Sequence, residues 1–287
     1  MKNYKTIAEE YTAQLNALYD VEESKQLFYM VFSSLTGKPR IQYSLMQQEL
    51  ISTAAEEQFM AILRELRTGR PIQHILGETE FYGTTFLVNE HTLIPRPETE
   101  ELVDLIVHTH ASETGLSVLD VGTGSGCIAI SLKKHLKSAN VSAVDISSEA
   151  ISIARKNSLA QQAEVNFILA DILEWDSFFQ SDQQYDVIVS NPPYITPKEQ
   201  LEMHENVLRF EPHTALFVEE QAPLLFYDVV ADLAKKHLKA GGSLYFEINQ
   251  YLAAQTVDLL LKKGFSAVKL YQDINGADRM IHAKGNK

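Results

Sequence analysis

V-L-D-V-G-T-G-S-G-C-I-A-I, Val118 to Ile130, is the stretch on which the fold turns. A short run of strand type enters a glycine-rich loop, and an apolar helical pattern starts directly after it. Strand, loop, helix opens a parallel α/β unit, because a crossover helix has to pack back onto the sheet it has left. Glycine lets the backbone take positive φ and approach a ligand closely, and the helix that follows offers N–H groups at its positive end. Gly122, Thr123, Gly124, Ser125 and Gly126 therefore read as the floor of a site for a nucleotide-like ligand. The spacing is G-x-G-x-G, and Cys127 stands where a dinucleotide fingerprint needs its third glycine. That counts against NAD. The loop also lacks the Gly-Lys-Ser/Thr ending of a P-loop, which counts against ATP. Cys127 has no histidine beside it and reads as a small buried filler, not a nucleophile.

The pattern repeats downstream. A strand over Val141–Val144 ends at Asp145, 19 residues past Gly126, where a doubly wound fold places an acid that accepts from the ribose hydroxyls. After a helix over 148–160, a strand over Val165–Leu169 runs out at Asp171, an acceptor for an adenine amino group, with Ile172 beside it for the ring face. Each acid alone also reads as a turn residue or a cap. A fourth strand, Tyr185–Val189, brings Asn191 to the same edge, because parallel strands share the carboxyl end at which ligands bind. A helix over 223–238, a strand over Ser243–Glu247, a helix over 250–263 closed by Gly264, and strands near 267–271 and 279–283 complete an α/β count of about seven strands.

The fourth strand reads V-I-V-S-N-P-P-Y-I, Val187 to Ile195. Pro192 and Pro193 fix φ and restrict the residue before each, so this backbone is stiff before any substrate arrives. The Asn191 side-chain oxygen and the Pro192 carbonyl can each accept one hydrogen of a planar –NH2 group, while the Tyr194 ring covers its flat face. Such a clamp suits an amide or aromatic amine, a poor nucleophile that gains from orientation and preorganised acceptors. The plainer reading is that Pro-Pro merely ends a strand.

Residues 1–72 read as a small helical domain for substrate recognition. Apolar stripes at helical spacing run through Ile7, Tyr11, Leu15 and Leu18, through Leu27, Met30, Val31 and Leu35, and through Phe59, Ile62, Leu63 and Leu66, with Thr53 and Glu56 as a capping box for the third. Residues 73–100 connect it to the domain at 101–287. They hold a hairpin, Thr79–Tyr82 and Thr85–Val88 around Gly83-Thr84, and then I-P-R-P-E-T-E, Ile94 to Glu100. Arg96 and Thr99 either belong to a rigid helix entry or stand on the wall of the site. Thr196 to Pro212 is irregular, and the sequence leaves a lid and a surface loop equally open.

Composition bounds the rest. The chain has 287 residues, 45% hydrophobic and 22% charged, which is ordinary globular composition for two domains. The start M-K-N-Y-K-T-I-A-E-E carries no signal-peptide pattern and no apolar run reaches a membrane span, so a cytoplasmic protein without membrane contact is expected. A single cysteine excludes an internal disulfide, and the histidines, His108 and His110 included, show no metal spacing, so no metal is expected. The net charge of −13 has the wrong sign for a protein that holds nucleic acid through phosphates, and no direct nucleic-acid partner is expected. The charge is uneven. Residues 1–75 hold 8 Lys+Arg against 9 Asp+Glu, so nearly all of the excess lies beyond them.

Gly122–Gly126, Asp145 and Asn191–Tyr194 resemble the class I S-adenosylmethionine-dependent methyltransferases, a Rossmann-like α/β fold. From about Pro71 to Ala283 the chain more closely resembles the HemK/PrmC family of release factor glutamine methyltransferases, on H-I-L-G-E-T-E-F-Y-G (His74–Gly83), I-P-R-P-E-T-E, D-V-G-T-G-S-G, S-N-P-P-Y-I, E-P (Glu211, Pro212) and D-x-x-G-x-D-R (Asp273–Arg279). P-R-P-E-T is similar to the release-factor branch, whereas the enzyme for a ribosomal-protein glutamine is expected to read P-R-S-P. The resemblance implies methyl transfer to the side-chain amide nitrogen of the glutamine in Gly-Gly-Gln of peptide chain release factors, with S-adenosyl-L-methionine as cofactor and S-adenosyl-L-homocysteine as product. It implies that Gly122, Thr123, Gly124, Ser125, Gly126, Asp145, Asp171, Ile172 and Asn191 meet the cofactor. Asn191, Pro192, Pro193, Tyr194 and Arg96 would meet the glutamine segment, with Asn191, Pro192 and Tyr194 catalytic. Two departures stand out: Glu220-Gln221-Ala222-Pro223-Leu224 where the family often has a glycine-rich turn, and Asn249 where it has glycine. An amine methyltransferase of DNA or RNA, a silent cofactor-binding module and a dehydrogenase-like nucleotide binder are the competing readings.

Overall fold

A computed structural model describes residues 2–200, 203 and 205–285 of the chain, which divide into two compact units. The first takes in the described residues up to Glu78 together with those of 205–210. Its helices are α1 (Tyr4–Leu15), α2 (Val21–Thr36), α3 (Arg40–Met46), α4 (Thr53–Leu66) and α5 (Ile72–Leu76). Side chains set their starts: Asn3 accepts from Thr6 N–H, Asp20 from Glu23 N–H and Ser52 from Ala55 N–H. Ser52, not Thr53, therefore caps α4, and Glu56 pairs with Lys2 at 3.1 Å. Ile7, Tyr11, Leu15, Phe28, Phe32, Phe59, Leu63 and Leu66 interlock as its core, and Tyr11 donates to the Phe59 carbonyl at 2.6 Å. Leu18 lies beyond the end of α1 and Met30 on the outer side of α2; both are exposed, contrary to their place in the apolar stripes.

The second unit starts with a hairpin, β1 (Glu78–Phe81) and β2 (Thr84–Leu87). The turn is Tyr82-Gly83, one residue earlier than the glycine alone suggests, with φ of +47° and +69°. Positive φ at both central residues is the two-residue turn whose twist matches its strands. The remaining elements are α6 (Pro97–Thr109), β3 (Ser117–Val121), α7 (Cys127–His135), β4 (Asn140–Asp145), α8 (Ser148–Ala160), β5 (Val165–Leu169), β6 (Tyr185–Ser190), α9 (Pro197–Gln200), α10 (Glu205–Phe210, grouped with the first unit), α11 (Leu225–His237), β7 (Leu238–Glu247), α12 (Ala253–Lys262), β8 (Ser266–Gln272) and β9 (Asp278–Lys284). Thr196 to Pro212 thus carries α9 and α10, while residues 201, 202 and 204 of that stretch lie outside the described residues.

The seven strands pair in the order β5-β4-β3-β6-β7-β9-β8. β5, β4, β3, β6 and β7 run parallel, and β9 enters antiparallel between β7 and β8. From β3 the chain steps outward to β4 and β5, then returns to place β6 on the other side of β3. That reversal leaves a crevice at the carboxyl ends of β3 and β6, the place where open α/β sheets bind ligands. Both faces of the sheet are covered by apolar clusters, which is why β6 carries the unbroken apolar run Val187–Val189. Gly126 has φ +83°, and a Cβ there would stand 3.0 Å from Ile130 Cδ1 and 3.1 Å from Ala154 Cβ, so its lack of a side chain lets α7 pack on α8.

Candidate active site

A cavity of about 330 Å³ opens at that crevice. Gly122 and Gly124 from the loop after β3, Asp145 and Ile146 after β4, Asp171, Ile172 and Leu173 after β5, and Asn191, Pro192 and Pro193 after β6 all line it. Four strand ends therefore meet on one space. Gly122 has φ +76°, and the Asn191 carbonyl lies 4.0 Å from where its Cβ would stand, so the glycine loop and the N-P-P-Y segment are neighbours.

The Asp145 carboxylate is oriented by its surroundings: Gly124 N–H donates to Oδ2 at 2.8 Å and Ser147 N–H to Oδ1 at 2.9 Å. Burial pushes its pKa up, and those two donors pull the other way. A carboxylate has about four acceptor sites, so two bonds leave capacity for a ligand diol. Asp171 accepts from Leu173 N–H at 2.9 Å. Ile146 and Leu173 are large apolar side chains left exposed, walls suited to a planar ring. Ile146 directly follows Asp145 and carries no sequence signal of its own.

Thr123, Ser125 and Gly126 are not among the lining residues. Thr123 is buried and donates to Asp120 Oδ2 at 2.6 Å, which turns the loop's polarity inward. Asp120 is itself fully buried, and burial raises its pKa to about 7 against the pull of Thr123. Cys127 is buried with its thiol pushed up to about 12, consistent with a filler and not a nucleophile.

At the end of β6, Asn191 Nδ2 donates to Thr99 Oγ1 at 3.2 Å, Thr99 donates to Glu247 Oε2 at 2.6 Å, and Tyr194 donates to Glu247 Oε1 at 3.1 Å. Glu247 closes β7 and is buried; desolvation raises its pKa, opposed by the bonds from Thr99 and Tyr194 and by the charge of Arg279. Arg279 is held in turn by Asp273 at 3.1 Å, and the same Asp273 accepts from the Asn275 and Ala277 N–H groups to set the turn before β9. Asn249 is buried and donates to the Tyr194 carbonyl at 3.0 Å and to Glu199 at 2.9 Å. A residue that departs from the expected glycine thus ties the backbone after Pro193 to α9.

Arg96 does not line the cavity. Its guanidinium donates to Glu211 Oε1 at 2.5 Å, and Glu211 Oε2 accepts from Ile94 N–H at 3.1 Å. The arginine expected at the glutamine segment is an ion-pair partner that clasps the helix entry to the E-P dipeptide, while Pro212 lines the cavity.

Known families and proteins match this chain along most of its length. Residues 99–212 match the family "Methyltransferase small domain" and residues 7–77 match "PrmC N-terminal domain". The chain is 44% identical over 284 residues, 98% of each protein, to a release factor glutamine methyltransferase of Flavobacterium psychrophilum. A second relative of that name, from Bacteroides thetaiotaomicron, is 42% identical across 94% of this chain and 95% of its own. The chain belongs to the release factor glutamine methyltransferase family. Among solved structures, a 16S rRNA methyltransferase of T. thermophilus in complex with AdoMet and guanosine aligns with a TM-score of 0.53 at 18% identity, over 73% of this chain and 50% of that one, and so shares the fold. The chain is thus a class I, S-adenosylmethionine-dependent methyltransferase. The residues present fit that cofactor: glycines that leave the floor open, an oriented carboxylate at the end of β4, and apolar walls at Ile146, Ile172 and Leu173. Among the described residues, no group of three or more His, Cys, Asp or Glu is placed to hold a metal ion, and no helix of the methyltransferase is long and apolar enough to cross a membrane.

Proposed function

We propose that the chain methylates the side-chain amide nitrogen of the glutamine in the Gly-Gly-Gln tripeptide of peptide chain release factors, without a metal ion and in the cytoplasm. The observation that carries this reading is Asn191, which lines the cavity while its –NH2 is engaged by Thr99 on the side away from any acceptor role. When bound, S-adenosylmethionine supplies an electrophilic methyl group. Gly122, Gly124, Asp145, Asp171 and Ile172 are the residues that would hold it.

The chain's own contribution is orientation. Asn191 Oδ1 and the Pro192 carbonyl accept the two hydrogens of the glutamine –NH2, with Pro193 keeping that backbone stiff and the Tyr194 ring behind the amide plane. The acceptors favour pyramidal nitrogen as its lone pair turns to the methyl carbon; the N–C bond would form as the methyl–sulfur bond breaks to leave a neutral thioether, and one nitrogen hydrogen would then pass to water as a proton. Residues 1–72 serve as the recognition domain for the factor, 73–100 as the connection and 101–287 as the catalytic domain. Asn191→Ala tests the assignment. Losing one preorganised polar partner is expected to cost about 2 to 4 kcal/mol of transition-state stabilisation, with S-adenosylmethionine binding by calorimetry nearly retained. Unchanged turnover in that variant would remove Asn191 from the reaction.

A further inference from the structure

We infer that Thr99 and Glu247 are positioning residues that set the polarity of Asn191, so that it presents an acceptor and not a donor to the substrate nitrogen. The inference rests on the clamp reading above and deepens it. Asn191, Thr99 and Glu247 come from three separate segments: the loop after β6, the first turn of α6 and the last residue of β7. Thr99 and Glu247 are both buried, 3% and 1% exposed, so water does not decide their hydrogen bonding.

The direction of the chain follows from donor and acceptor counts. Glu247 accepts a hydroxyl hydrogen at each of its two oxygens and faces the charge of Arg279, the setting of a carboxylate, which only accepts; a threonine hydroxyl has a single hydrogen to give. That hydrogen goes to Glu247 Oε2 at 2.6 Å, while Tyr194 gives its own to Oε1 at 3.1 Å. Thr99 Oγ1 is then left with lone pairs alone and can only accept from Asn191. The amide must turn Nδ2 toward it, which is the 3.2 Å contact observed, and Oδ1 falls on the opposite edge of the amide plane. Reversed, the amide would set an –NH2 against an –NH2, donor against donor, and the clamp would repel its guest. Thr99, buried and outside the cavity lining, thus determines which atom of Asn191 faces the cavity.

The test compares Thr99→Val, Thr99→Ser and Glu247→Gln in the full-length protein with Asn191→Ala, by steady-state methyl transfer to a purified release factor. The kcat and KM are read separately, beside calorimetric binding of S-adenosylmethionine and thermal melting. Thr99→Val removes the relay with little change of shape, and Glu247→Gln supplies a side chain that can donate to Thr99 and invert it. Both are expected to lower kcat about 10- to 100-fold with KM and cofactor affinity within about 3-fold, while Thr99→Ser stays near wild type. Adding Thr99→Val to Asn191→Ala is expected to cost nothing further, as for residues that act as one unit. Should Thr99→Val fail to fold, Glu247→Gln and Thr99→Ser carry the comparison. Wild-type kcat in Glu247→Gln or Thr99→Val, or a loss in Thr99→Ser as large as in Thr99→Val, would overturn the inference. If Asn191→Ala loses turnover while the relay variants keep it, only the positioning role falls; if Asn191→Ala itself keeps turnover, the clamp reading falls with it.

Discussion

Replacing Arg96 by alanine separates an ion-pair role from a substrate role. The Glu211 side chain is 1% exposed, and among the described residues its carboxylate meets Arg96 at 2.5 Å and the Ile94 N–H at 3.1 Å. Removing one partner of a buried pair costs roughly 3 to 5 kcal/mol, because the charge that remains is uncompensated. Arg96 is 36% exposed, so solvent already screens part of the attraction, and Glu211 keeps its backbone donor. These two facts bring the expected loss to about 2 to 3 kcal/mol of folding stability. Glu211→Gln, which keeps an acceptor for Ile94 and frees an arginine able to reach water, should cost less. The double variant should then show a coupling of about 1 to 2 kcal/mol. Urea unfolding of the four proteins measures all of this, with methyl-transfer kinetics alongside. An unchanged unfolding midpoint in Arg96→Ala, together with a raised KM for the release factor, would refute the ion-pair reasoning and return Arg96 to the substrate.

Two further expectations concern the acids. Asp145→Ala removes the carboxylate that Gly124 and Ser147 orient, and should weaken S-adenosylmethionine about 10- to 100-fold by calorimetry while kcat at saturating cofactor changes far less; an unchanged affinity would exclude Asp145 from the site. Burial raises Asp120 from its ordinary 3.8 to about 7 in the folded chain, so its contribution to stability is full below about 3.8 and lost as pH rises through about 7. Asp120→Asn does not titrate, and its unfolding free energy relative to wild type should therefore improve by about 2 to 3 kcal/mol between pH 5 and pH 8; a difference independent of pH would contradict this.

The sheet and its ligand edge were legible because the strands of a parallel sheet end on one side, so Gly122, Asp145, Asp171 and Asn191 could be placed together from strand ends alone. What escaped reading is where local signals are weak or partners are distant. α3 has no buried residue and so no apolar period to betray it. The hairpin is displaced by one residue because Tyr82 adopts a positive φ that the glycine next to it seemed to claim alone. Glu247 lies 148 residues from Thr99, and only the pairing of β7 with β6 brings it beneath the N-P-P-Y segment. Arg96 reads the same in either role, and its partner Glu211 lies 115 residues away.

The central claim is methylation of a release-factor glutamine, and transfer of labelled methyl from S-adenosylmethionine tests it most directly. The acceptors are a purified release factor, the same factor with alanine in place of the Gly-Gly-Gln glutamine, duplex DNA and ribosomal RNA. Label on the intact factor alone is the expected result. Label on nucleic acid, or equal label on the alanine variant, would contradict the account.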